Sequence, residues 1–168
     1  MPIFQPALSW VRGEIFEAAI IVVWGLTIML AAYLFWKHGV TPNARSLFLP
    51  LLLTGLIYTS IGGAMLFQNQ NRLRRFAIAY NDNAAGFLDA EKSRVLAFQY
   101  GYTVSRIVAS LFFPLCVLIF WFSKNAQFQG IGLGLAIFAV TGLVIDYFSQ
   151  ERADIYFKAI TEAQAIKK

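Results

Sequence analysis

The chain has 168 residues, 58% hydrophobic and only 14% charged, against about 25% charged in a soluble domain. That deficit excludes an ordinary soluble domain and points to a membrane protein. The net charge of +5 then reports topology and contact with anionic headgroups; no stacking platform with basic interleaving appears, so nucleic acid is not an expected partner.

Residues 2–17 are mixed. Pro6 suits the first turn of a helix, and Trp10, Arg12, Glu14 and Glu17 follow at helical spacing. Ala18–Trp36 is the first uncharged apolar run, 19 residues long, close to the roughly 20 needed to span a bilayer. It is read as a span and not a cleaved leader: two acids precede it, no Ala-x-Ala site follows, and it closes on Tyr33, Phe35 and Trp36, an interface belt. Lys37–Ser46 is turn-like, with Gly39, Pro42 and Asn43.

Leu47–Phe67 is the second run. Gly55, Thr59 and Gly63 recur at four-residue steps, a small-residue stripe that lets helix backbones approach closely. With Thr54, Tyr58 and Ser60 it is also the most polar span and the candidate lining of a pore. Gln68–Arg106 carries much of the charge. A helical stripe (Leu66, Leu73, Phe76, Ala77, Tyr80) leaves the second span, Tyr80–Gly86 punctuates a turn, and a new helix begins at Phe87 and runs into the third span, Ile107–Phe122. Pro114 lies near its middle, where it removes the usual partner of the Ser110 carbonyl.

Lys124–Gln129 is a short polar connection, and Gly130–Ile145 is the fourth span, with Gly130 and Gly134 as a second close-approach pair. Residues 146–168 read as an amphipathic helix with Ile145, Phe148, Ile155, Ala159, Ala163 and Ile166 on its apolar face.

Four spans place both termini on one side. That side holds eleven Lys and Arg; the other holds Lys37, Arg45 and Lys124. The bias places the termini and the 68–106 hairpin in the cytoplasm, as in a bacterial inner membrane or an equivalent plasma membrane. Helices of roughly 50–55 Å exceed the roughly 30 Å core. The expected fold is therefore all-α: one four-helix antiparallel bundle over residues 1–168, extended into a cytoplasmic helical layer in which Leu73, Phe76, Val95, Phe98, Ile155 and Ala159 meet.

Chemistry-bearing sets are few. The lone Cys116 and lone His38 give neither a disulfide, a two-histidine haem site nor a histidine and cysteine zinc site. No phosphate-loop or nucleophile-elbow motif occurs. No cofactor, metal or catalytic residue is assigned. Glu17, Gln68, Arg106 and Asp146 are each the first strongly polar residue at the cytoplasmic edge of a span, which predicts an ion-pair layer with Arg106 holding Glu17 or Asp146. Arg72, Arg74 and Arg75 are candidates for contact with headgroups or another anionic ligand. Three functions fit. The first is a non-enzymatic subunit or scaffold that forms a homo-oligomer or docks a membrane partner through its cytoplasmic extension. The second is an oligomeric pore lined by Thr54, Tyr58 and Ser60. The third is a lipid-headgroup enzyme using Glu91, Arg94 and the cluster Arg72, Arg74 and Arg75.

Overall fold

A computed structural model describes residues 3–165, which are helical almost throughout. Four helices are long and apolar enough to cross a membrane: α1 (Phe4–His38), α3 (Phe48–Asp82), α4 (Ala84–Phe122) and α5 (Ala126–Ala165), with a short α2 (Pro42–Ser46) between the first two. They contain 35, 35, 39 and 40 residues, or about 50–60 Å each.

The ends of these helices follow from local chemistry. Thr41 caps α2 by accepting from the Ala44 amide at 3.2 Å, and Pro42 occupies the first helical turn. The turn expected over Tyr80–Gly86 contracts to one extended residue, Asn83, whose side chain accepts from the Gly86 amide at 2.9 Å. The helices therefore run to Asp82 and restart at Ala84. Gly86 leaves room for that cap, since a Cβ there would lie 2.9 Å from Asn83 Nδ2. At the other connection, Asn125 accepts from the Gln127 amide at 2.8 Å and starts α5 four residues earlier than the apolar run suggests. Helix α4 continues through Pro114.

Helix α1 packs along α3, and α4 along α5. The α1–α3 seam is made by glycines. A Cβ on Gly25 would lie 2.8 Å from the Gly55 carbonyl oxygen, one on Gly55 2.7 Å from the Gly25 carbonyl oxygen, and one on Gly62 2.9 Å from the Ala18 carbonyl oxygen. Gly63, expected in this stripe, meets nothing within 4 Å. The reason is angular: seven residues return to nearly the same helix face, whereas eight overshoot by about 80°. On α5, a Cβ at Gly130 would lie 2.6 Å from the Ser46 carbonyl oxygen, and one at Gly134 2.5 Å from Pro50 Cβ.

The larger core cluster lies outside the apolar runs. Ile3, Ala7, Trp10 and Val11 of α1 meet Phe76 of α3, Phe87, Leu88, Val95 and Tyr102 of α4, and Ala153, Tyr156 and Ile160 of α5. Leu73, Phe98 and Ala159 pack against it. Ile155 does not: it is 64% exposed. The inward stripe of α5 runs through Ser149, Ala153, Tyr156 and Ile160, about 100° from the one expected through Phe148 and Ile155. Ile166 lies outside the described residues.

Candidate functional site

Charged and polar residues converge where the apolar runs give way to this core. Glu14 on α1 is 1% exposed. Arg152 on α5 reaches it, Nη2 to Oε1 at 3.1 Å, and also pairs with Glu17 one turn along. Gly13 makes space for the arginine, because a Cβ there would lie 3.3 Å from Arg152 Cδ. A second set lies beside it. Glu91 on α4 pairs with Arg94 and accepts from the Tyr156 hydroxyl at 2.9 Å. The Arg94 guanidinium stands 4.0 Å over the Trp10 ring, and that ring stacks on Tyr156 at 4.7 Å. Burial, then the Glu91 charge, push the Tyr156 hydroxyl well above its ordinary value.

Of the residues expected in the ion-pair layer, Glu17 is the one that pairs, and its partner is Arg152. Arg106 donates only to its own helix, to the Tyr102 carbonyl at 3.4 Å. Among the described residues, the arginines that pair with carboxylates are Arg94 and Arg152. Arg152 was not expected because it lies six residues past the span edge, but its long side chain reaches back along α5 to the level of Glu17. Gln68 is exposed, and its neighbour Asn69 is buried and accepts from Arg72 at 3.1 Å.

Asp146 and Glu17 instead face a shared cavity of 280 Å³, whose lining includes Tyr58, Tyr102, Ser105 and Ser149. Tyr102 donates to Ser149 at 3.0 Å. Burial raises the Asp146 carboxyl above the usual carboxylate range, while Ser105 and Arg106 pull the other way. Glu17 Oε1 and Asp146 Oδ2 are buried without a hydrogen-bond partner inside the protein, as are Trp10 Nε1, Glu14 Oε2, Arg94 Nη1 and Arg152 Nε. Such groups require hydration or a ligand.

The three arginines of α3 lie apart from these pairs. Arg72 is half-buried, and Arg74 and Arg75 are exposed. Burial and the nearby Arg94 lower the Arg72 guanidinium from its ordinary value. Arg72 and Arg75 line a 660 Å³ groove between α3 and α4, with Gln68, Asn71 and Glu91.

The supposed pore residues do not share a face. Thr54 is 5% and Tyr58 3% exposed within this one chain, and Tyr58 donates to the Phe138 carbonyl at 2.6 Å. Ser60 alone is exposed. An oligomeric pore cannot be lined by all three. Among the described residues, no group of three or more His, Cys, Asp and Glu side chains is placed to hold a metal ion. No protein-family model, curated protein or solved structure matches the chain.

Proposed function

We propose that the chain is a non-enzymatic integral membrane subunit, an antiparallel four-helix bundle whose overrunning helices form a cytoplasmic layer that docks a second copy or another membrane subunit. One observation carries this reading. Ile78, Leu96 and Ile155, on three different helices, are 63%, 47% and 64% exposed. Each lies ten or eleven residues beyond its apolar run, about 15 Å along the helix, past the roughly 5–8 Å headgroup zone. Large apolar side chains left facing water at one level on three helices are what a docked partner would bury. The Lys and Arg asymmetry supports the orientation, with Arg72, Arg74 and Arg75 near the headgroups of a bacterial inner membrane or an equivalent membrane. The lipid-headgroup enzyme loses support because Glu91 and Arg94 are tied to each other and to Tyr156 and Trp10.

Two measurements test it. Reporters fused at residues 40 and 126 should read outside, and those at residue 83 and the C-terminus cytoplasm. A photocrosslinker at position 96 or 155 in intact membranes should capture protein, and one at the lipid-facing position 118 should not. A strictly monomeric chain whose 96 and 155 probes capture only water or lipid overturns the docking role.

A further inference from the structure

Helices α3 and α4 are joined by one residue, yet they diverge. Each has a closer partner: α3 is drawn to α1 by the glycine seam, and α4 to α5 by the Tyr102–Ser149, Glu91–Tyr156 and Cys116–Gly132 contacts. Near the turn they meet through Phe76, Tyr80 and Phe87. Beyond it the α3 side of the gap is one helical stripe: Arg75, Arg72, Gln68, Met65, Ile61 and Ile57.

The chemistry along this stripe is graded. Its polar end is the 660 Å³ groove with Arg72 and Arg75, neither paired with a carboxylate among the described residues. Glu91, the one acid there, is already neutralised by Arg94. The far end is a 410 Å³ cavity between α3 and α5, walled by Leu53 and Ile57 of α3 and Leu135 and Phe138 of α5, to which α4 contributes Phe112. Between them is the 280 Å³ cavity that Glu17 and Asp146 face, lined also by Ile61 and Met65 of α3 and by Gly101 of α4, which has nothing within 4 Å of where a Cβ would stand.

The depths match a lipid. Arg72 lies five residues past Phe67, about 7 Å beyond the apolar run, where the headgroup zone lies. From Phe67 to Ile57 is about 15 Å, half the hydrocarbon core and so the reach of one leaflet's chain. A phosphate at Arg72 and Arg75 places its acyl chain along Met65, Ile61 and Ile57, while Gly101, six residues outside Ile107 and so about 9 Å beyond the α4 run, leaves room beside the headgroup.

We propose that the α3–α4 cleft is a binding site for one anionic phospholipid, its phosphate on Arg72 and Arg75 and an acyl chain between the helices. The proposal rests on the spans and not on partner docking. Native mass spectrometry of the full chain, with phosphatidylglycerol and phosphatidylcholine of equal chain length, tests it. A single phosphatidylglycerol adduct should dominate. Arg72→Gln with Arg75→Gln should weaken it roughly thirtyfold, the loss of two basic contacts to an anionic headgroup. Gly101→Leu should also remove the adduct while leaving the melting temperature and the charge unchanged, because the side chain enters the space the headgroup and glycerol need on the α4 side of the cleft. Retention of the adduct in Gly101→Leu places the lipid on the outer surface and overturns the cleft. Displacement by inorganic phosphate alone makes it a free-anion site, and a change of oligomer mass in Gly101→Leu makes the occupant a second copy; either result overturns the proposal.

Discussion

Helix α3 treats two of its neighbours, α1 and α4, in opposite ways. Towards α1 it is closed: Gly25, Gly55 and Gly62 bring backbone against backbone, and a single added carbon meets a carbonyl oxygen. Towards α4 it is open, with grooves and cavities along much of its length. The contrast does not come from hydrophobicity, since Leu and Ile line both sides. It comes from where the small residues fall around the helix. In a bilayer, lipid chains solvate apolar side chains as well as protein does, so only close packing or polar contacts bring helices together. Where glycines align, a seam forms; where Ile57, Ile61 and Met65 align, the gap stays open.

The polar contacts should dominate stability. Arg152→Ala strands Glu14 and Glu17, both nearly fully buried, and is expected to cost about 3–5 kcal/mol. Arg106→Ala, at the position expected to hold Glu17 or Asp146, should leave the melting temperature in detergent unchanged. Equal losses in the two variants would mean that Arg106 and Arg152 share the layer.

The seam comes next. Gly62→Leu forces α1 and α3 apart and should cost about 1–3 kcal/mol as a fall in melting temperature. Gly63→Leu, one residue away on a face that meets nothing within 4 Å, should stay within about 0.5 kcal/mol of the parent. A fall in both would show that the second flank of α3 is covered as well.

The smallest effect concerns the cavity between the two pairs. The folded Asp146 carboxyl titrates above its ordinary 3.8, chiefly through burial. A carboxyl raised in the folded state favours folding most at pH below 3.8, and that contribution is lost as pH rises through the raised value. Asp146→Asn removes the loss. The variant should melt slightly higher than the parent at pH 7 and converge with it in acid; a variant less stable at pH 7 would mean that the Asp146 charge is held by Arg106 after all.

The four long helices were legible because uncharged runs of spanning length leave few alternatives, and the overrunning ends because the apolar stripes of Leu73, Phe76 and Val95 continue past them. The site was less so. Edge position gave the depth of Glu17 and Asp146, but depth does not say which arginine reaches them. The guanidinium of Arg152 reaches Glu14 and Glu17 on α1, whereas that of Arg106 turns to the Tyr102 carbonyl on its own helix. Gly62 was passed over for Gly63 because four-residue steps drift around a helix of 3.6 residues per turn. Nothing local to α3 names Gly25 as its counterpart; that pairing is a property of two helices.

Asn83 sets a mechanical asymmetry. It is the sole link between α3 and α4, an extended residue with its side chain locked onto the Gly86 amide, so any relative swing of the two helices pivots there. Arg72 sits about 16 Å from this fulcrum and the end of α4 nearly 60 Å from it. A rotation of about 5° moves the arginine little more than 1 Å and the far end about 5 Å. The far tips are held apart by a third helix: α5, packed along α4, closes on the end of α2 at Ser46 and the start of α3 at Pro50 through Gly130 and Gly134, so the width of the gap at that end is set by α5 and its narrowness at the other by Asn83.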